Sequence, residues 1–406
     1  MSIAMNGNIQ MKDDRVMSWP LFALAIAAFA IGTAEFIIMG LLPQVSADLG
    51  VSIPSAGYLV SGYALGVVVG GPLLAMLVGK MEEKRALLIL MAIFTVGNIA
   101  CMIAPGFTSL IVARVFTAFS HASFIGMAAV LASRIAPPGK EGRAMTLMFT
   151  GMTLANVLGV PVGSLVGQVY GWRTTFLGVV ALGIISLLMV WYLVPAKAGA
   201  SKKNTQTNLQ GMKRPIIWLG LMTSVMASAS MFAFFTYIVP ILQDVTHVEP
   251  KFASVALLVC GLGITVGGLL GGRLADWSLT RSLVLTLMAL IAALVSFYWT
   301  SHFVYPAVIN MAVWGCLSFC VGMLLQALII RVAGESANYA STLNVGAFNL
   351  GNAIGAWVGG RVIDAGMPLN SITLVAATIS LVTLVMVLGM FLSRDRSLLS
   401  YPSATA

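Results

Sequence analysis

The chain has 406 residues, of which 59% are hydrophobic and only 9% charged, and its mean hydropathy is +0.98. A soluble globular chain carries about 25% charge, so an ordinary water-soluble domain is excluded and the bilayer is the main solvent. The net charge of +9 matches loops that collect Lys and Arg on one side of a membrane, and no basic run is interleaved with stacking aromatics as a nucleic-acid surface requires.

A helical crossing needs about 20 apolar residues. In chain order the stretches that supply them are 19–42, 55–79, 86–105, 109–135, 144–168, 174–194, 215–240, 252–274, 282–300, 304–329, 340–364 and 371–392. The first is longer than the apolar core of a signal peptide and precedes eleven more, so it reads as a retained helix. Short turns separate the stretches: Ala104-Pro105-Gly106, Pro137-Pro138-Gly139, Tyr170-Gly171-Trp172 and Gly366-Met367-Pro368. The longest polar insert, 196–214, holds Lys197, Lys202, Lys203, Lys213 and Arg214 among Ser, Asn, Gln and Gly, and reads as a flexible linker. The expected organisation is a cytoplasmic tail over 1–18, a six-helix bundle over 19–195, the linker over 196–214, a second six-helix bundle over 215–393 and a cytoplasmic tail over 394–406. The fold class is all-α membrane protein, with twelve transmembrane helices in two pseudo-symmetric bundles.

A faint internal repeat supports the two halves. Leu65-Gly66, Val69-Gly70-Gly71 and Leu73 recur as Leu262-Gly263, Val266-Gly267-Gly268 and Leu270, and Leu154, Asn156, Gly159 and Val162-Gly163 recur as Leu350, Asn352, Gly355 and Val358-Gly359. Transporters built from like halves place the solute near the midplane and rock around it. Orientation follows from charge: with the N-terminal tail inside, 18 of the 22 basic residues lie in the tails, the linker and the inner loops, leaving Arg173, Lys251 and Arg361 outside and Arg114 within a span. Both termini are expected in the cytoplasm.

Glycines spaced by four mark one face of four spans: Gly62, Gly66 and Gly70; Gly159, Gly163 and Gly167; Gly263, Gly267 and Gly271; Gly351, Gly355 and Gly359. Small residues at this spacing let backbones approach closely. Their repeat-related placement predicts smooth helix-packing surfaces on which the two halves slide.

Polar residues at membrane depth are costly and usually functional. Glu35, in the first span, lies about 10 Å from the outer end of its helix, and Arg114, in the fourth, about 8 Å deep. At matched depth the two can pair, and solute binding that breaks the pair can release or capture a proton. Glu35 has Phe232 as its repeat mate, so the acid belongs to one half. His121 follows Arg114 by nearly two turns and titrates near neutrality when unperturbed. Gln326, Asn344, Asn349, Asn352 and Asn156 supply amides for helix contacts or for reading solute hydroxyls or a ring. Phe232, Phe234, Phe235, Tyr237, Trp314 and Trp357 supply aromatic surface for packing or for a planar solute. The candidate solute-contacting set is Glu35, Arg114, His121, Phe232, Phe235, Tyr237, Trp314, Gln326, Asn349 and Asn352, with Glu35 and Arg114 coupling protons. The four cysteines lie within apolar stretches as small hydrophobes, and no metal site is expected. No Gly-rich phosphate loop of the GxxxxGK[ST] type is present, so the energy source is expected to be a proton gradient, without a cofactor.

These residues resemble the major facilitator superfamily, twelve-helix drug:proton antiporter type. Within it they are similar to the bacterial arabinose-efflux, purine-efflux and chloramphenicol-resistance-like transporters. The resemblance rests on Gly32-Thr33-Ala34-Glu35-Phe36 with Gly40-Leu41-Leu42-Pro43, on Leu110 with Arg114, on Gly272-Arg273-Leu274-Ala275-Asp276 with Arg281, and on Asn349-Leu350-Gly351-Asn352. It implies that spans 1, 4, 7 and 10 line a central cavity, and that Asp276 and Arg281 sit in a gating loop. Two departures stand out. Gly79 occupies the place of the motif's Asp after span 2, and Ser164 stands where Pro is usual in span 5, with Pro161 displaced. The expected activity is export of a small drug, sugar or purine-like solute in exchange for protons, by a monomer in the cell inner membrane. An uncoupled facilitator or a proton-symport importer is the alternative. A membrane-embedded enzyme is disfavoured, because Ser120, His121 and Ser123 form a cluster without a neighbouring acid.

Overall fold

Helices make up every regular element among the described residues, which are 4–79, 81–137, 140–196 and 214–392 of a computed structural model. The linker lysines Lys197, Lys202, Lys203 and Lys213, the loop Lys80 and the tail's Arg394 and Arg396 lie outside them. The elements are α1 (Ala4–Leu49), α2 (Ile53–Val78), α3 (Glu83–Met102), α4 (Phe107–Ile135), α5 (Glu141–Leu154), a π-helical turn (Ala155–Gly159), α6 (Val160–Tyr170), α7 (Trp172–Leu193), α8 (Pro215–Asp244), α9 (Pro250–Thr300), α10 (Val304–Ala333), a 3₁₀ turn (Gly334–Ser336), α11 (Ala337–Asp364) and α12 (Ser371–Leu392).

Ten of these helical stretches are long and apolar enough to cross a bilayer. One of them, α9, spans 51 residues and breaks at Ser278, which is extended (φ −167°, ψ 99°), so it supplies two crossings. The asparagine-bearing α11 has 28 residues, enough for a twelfth. The loop expected between spans 8 and 9 is thereby reduced to a kink. No Pro or Gly stands between Ala275 and Arg281 to stop the helix, and the Ser282 hydroxyl donates to the Leu274 carbonyl at 2.8 Å across the break. The fifth crossing, in turn, is interrupted just before Pro161. A proline inside a helix has no N–H and its ring crowds the carbonyl four residues back. The chain answers with the π-turn, in which the Val160 N–H reaches the Ala155 carbonyl.

The helices group into two units: one holds the chain up to Gln44 and from Gly66 through α7, the other holds Val45–Leu65 and α8 onward. In the first, α3 packs on α4 and α7, and α4 on α5. In the second, α8 packs on α11 and α12, and α9 on α10 and α12. Of the ten apolar helices, the repeat-related α1 and α8 are the most enclosed, with 78% and 83% of their apolar windows buried, against 33% for α7 and 39% for α12. The first helix of each half is therefore wrapped by the others, which is where a polar side chain costs most and is best shielded from lipid.

The glycine ridges explain how α1 and α8 are wrapped. Gly159 and Gly163 lie against Thr33 and Ile37 of α1; Gly355 and Gly359 lie against Ala229, Ala233 and Tyr237 of α8; Gly263 and Gly267 lie against Ala312 and Cys316 of α10. Each of these ridges is filled by a helix of its own unit. The expectation that they form sliding surfaces between the halves is corrected: they set the helix spacing inside a half.

Candidate functional site

Glu35 sits in the middle of α1 and is 7% exposed. From α4, Arg114 and His121 reach it on one helix face. Arg114 is 1% exposed, and its guanidinium forks onto the main chain of α1: Nη1 donates to the Ala34 carbonyl at 2.5 Å and Nη2 to the Glu35 carbonyl at 3.2 Å. The Glu35 carboxylate faces His121, with Oε2 3.9 Å from Nδ1. That separation is ion-pair reach rather than a hydrogen bond, so proton transfer between them needs a small approach or one bridging water. The two Arg114 hydrogen bonds hold the backbone that carries the acid. An Arg fork suits this task, since its planar N–H groups serve two acceptors at once. The sequence placed Arg114 beside Glu35; the structure brings His121 to the carboxylate as well.

The departures from the family pattern have local consequences. Ser164, standing where Pro is usual, donates to the Gly40 carbonyl at 3.0 Å and ties α6 to α1. After α2, Glu83 at the start of α3 pairs with Arg134 at the end of α4, and Glu82 pairs with Arg85 at 3.4 Å. Asp276 and Arg281 are both exposed and flank the Ser278 kink of α9.

The second unit gathers the aromatic and amide residues. The Trp314 ring meets Phe234 edge-on at 4.8 Å and lies tilted against Phe235 at 5.7 Å; Phe232 is 6.1 Å from Phe235. The Trp314 indole nitrogen is buried without a hydrogen-bond partner, a cost unless water or a solute meets it. Tyr237 donates to the Ala356 carbonyl at 2.8 Å, a helix-to-helix tie. Gln326 donates to Ser341 at 2.5 Å and accepts from Asn344 at 2.6 Å, which joins α10 to α11. Asn352 accepts from Ser228 of α8. Asn349 donates to the Val345 carbonyl at 3.0 Å, while its Oδ1 has no partner. Trp357 is 50% exposed. Sequence reasoning missed Ser228 and Ser341; the signal for both was a hydroxyl within an apolar span. The candidate residues thus form two groups, one in each unit. Among the described residues no group of three His, Cys, Asp or Glu side chains could hold a metal.

The family model described as the Major Facilitator Superfamily matches residues 24–356. The chain belongs to the major facilitator superfamily. Among curated relatives, the inner membrane transport protein YdhP of Escherichia coli K12 is 40% identical over 371 residues, covering 91% of this chain and 95% of YdhP. The MFS-type transporter YtbD of Bacillus subtilis is 37% identical, covering 85% and 88%, and the putative transporter AraJ of Escherichia coli K12 is 31% identical, covering 89% and 92%. Solved structures share the fold: a bacterial homologue of the human lysosomal transporter Spinster, inward-facing and occupied, has a TM-score of 0.72 at 16% identity over 92% of this chain and 96% of that one. The nucleoside transporter NupG has a TM-score of 0.72 at 15% identity over 92% and 100%. As a superfamily member the chain is a multi-pass membrane transporter of small solutes, not an enzyme.

Proposed function

We propose that this superfamily transporter exports a small organic solute in exchange for protons, by alternating access, as a monomer in the inner membrane with both termini in the cytoplasm. The observation that carries the reading is a lone carboxyl enclosed at mid-helix in α1, 3.9 Å from an imidazole, on a backbone gripped by Arg114. A buried carboxyl is stable either protonated or matched by a positive partner. Arg114 supplies the positive charge nearby, and a proton supplies the alternative. A solute that donates to the Glu35 carboxylate needs it ionised, and a proton on Glu35 removes that acceptor, so solute and proton exclude one another and exchange follows. The aromatic and amide group of the second unit suits a solute with a ring and hydrogen-bonding substituents.

The levels of the two membrane interfaces have support in the exposed aromatic residues. Exposed Trp191, Tyr192, Trp218 and Trp277 lie at the helix ends that carry the basic residues, and exposed Tyr170, Trp299, Phe303 and Tyr305 at the opposite ends. Aromatic residues collect at both membrane interfaces and Lys and Arg at the cytoplasmic one. The test uses the full chain in sealed vesicles loaded with a pH-reporting dye, with solutes taken from a growth-inhibition panel. Addition of a transported solute should move protons, and Glu35→Gln should abolish that movement while leaving the protein folded. Solute flux without proton movement would make the chain a facilitator, and proton movement in the same direction as the solute would make it a symporter; either overturns the exchange reading.

A further inference from the structure

The fifth crossing holds a set of unmatched oxygens that Glu35 chemistry does not use. In the π-turn the Val160 N–H is taken by the Ala155 carbonyl, and the next residue, Pro161, has no N–H to offer. The Asn156 carbonyl therefore loses both donors that the following turn would supply. The Asn156 side chain, 5% exposed, turns its Nδ2 back to the Met152 carbonyl at 3.3 Å, while its Oδ1 has no hydrogen-bond partner. Across from it on α1, Thr33 is 4% exposed and its Oγ1 has none either. Both belong to one junction. A Cβ at Gly159 would run into the Thr33 hydroxyl, and a Cβ at Gly32 would stand 3.6 Å from the Met152 carbonyl oxygen to which the Asn156 amide donates.

We propose that this junction of α1 with the π-turn binds a monovalent alkali cation of the sodium class, through the Asn156 carbonyl, Asn156 Oδ1 and Thr33 Oγ1, with water completing the shell. Helix interruptions at membrane depth persist only where the released backbone groups are matched again, and carbonyls of unwound helices in secondary transporters coordinate sodium. The donor chemistry selects the ion. All three ligands are neutral, hard oxygens, which do not attract the soft or borderline metals that want sulfur and nitrogen. Calcium and magnesium are held through carboxylates, and none belongs to this set. Glu35 is two residues from Thr33 on α1, a rotation of about 200°, so it faces another side and is not a ligand.

The experiment is thermal unfolding of the full chain in lipid nanodiscs, titrated with sodium chloride against choline chloride at fixed pH and ionic strength. Sodium should raise the midpoint saturably and choline should not. Thr33→Val, which keeps the shape and removes the oxygen, and Asn156→Leu should each raise the half-saturating sodium concentration at least tenfold; if Asn156→Leu fails to fold, Thr33→Val decides alone. Sodium, lithium and potassium that stabilise no more than choline would show that water alone meets these oxygens. A saturable sodium effect indifferent to both variants would place the ion elsewhere. Either result overturns the assignment. Glu35→Gln should retain the sodium shift while losing proton movement, so the failure of one reading is visible apart from the other.

Discussion

Replacing one glycine methyl-for-hydrogen separates packing within a half from motion between halves. A Cβ at Gly355 of α11 falls on the main chain of α8, against the Ala229 carbonyl and 2.8 Å from the Ala233 nitrogen. Backbone atoms cannot swing aside, so α8 and α11 must part. Overpacking of this kind costs about 1–3 kcal/mol, and with roughly 2–4 °C per kcal/mol for a chain segment of 150–250 residues, Gly355→Ala should lower the unfolding midpoint by roughly 2–12 °C. Gly268 of α9 is the control, because a Cβ there meets nothing within 4 Å. Gly268→Ala should stabilise by about 0.5–1 kcal/mol through helix propensity alone. The native thiols provide the readout: Cys101, Cys260 and Cys320 are buried and Cys316 is half-buried, so the signal of a thiol-reactive fluorogenic dye rises from the Cys316 baseline when heat opens the bundle. Solute flux per folded molecule should stay near wild type in Gly355→Ala, since the contact lies inside one unit. Equal stabilisation by both alanines would refute the close approach. Blocked transport in a fully stable Gly355→Ala would restore the sliding surface that the packing argues against.

Three further outcomes follow from the geometry. Arg114→Lys keeps the charge but cannot fork onto two carbonyls, so it should lose one charge-assisted bond, about 1.5–3 kcal/mol, in the same dye assay; an unchanged midpoint would mean the fork carries no weight. Ser228→Ala strips the donor from buried Asn352 Oδ1 and should cost about 1–3 kcal/mol, most of which Asn352→Leu in the same chain should recover; a cost that persists in the double variant rules out an orphaned acceptor as its source. His121→Gln keeps a polar side chain at the carboxylate but cannot carry a proton at neutral pH. Solute-driven proton movement in vesicles should fall while solute binding survives, and full proton movement in this variant would remove His121 from the exchange.

Much of this arrangement was legible in the residues, because charge inside an apolar run is rare. Glu35, Arg114 and His121 each stood out on that ground alone. What the residues could not show was which atoms meet. Arg114 reaches carbonyls of Ala34 and Glu35, and main-chain acceptors are present at every position, so no sequence pattern singles them out. The same limit hid the Ser278 kink: a polar stretch with Asp276 and Arg281 looks like a loop, yet helix runs up to Ser278 from both sides and that residue alone leaves helical geometry. Pro161 announced a bend, but a proline is met equally by a kink or by a π-turn, and its position alone does not say which. The glycines showed that backbones come close and left open which partner they approach.

The tight turn at Ser278 that splits α9 into two arms also bears on how the nascent chain enters its membrane. With the Ser282 hydroxyl latched to Leu274 across a one-residue bend, there is no slack in which the first arm can settle by itself while the second is still being synthesised. The two arms have to be released into lipid as a preformed hairpin, which makes this elbow a poor place for an inserted tag and a sensitive one for biogenesis.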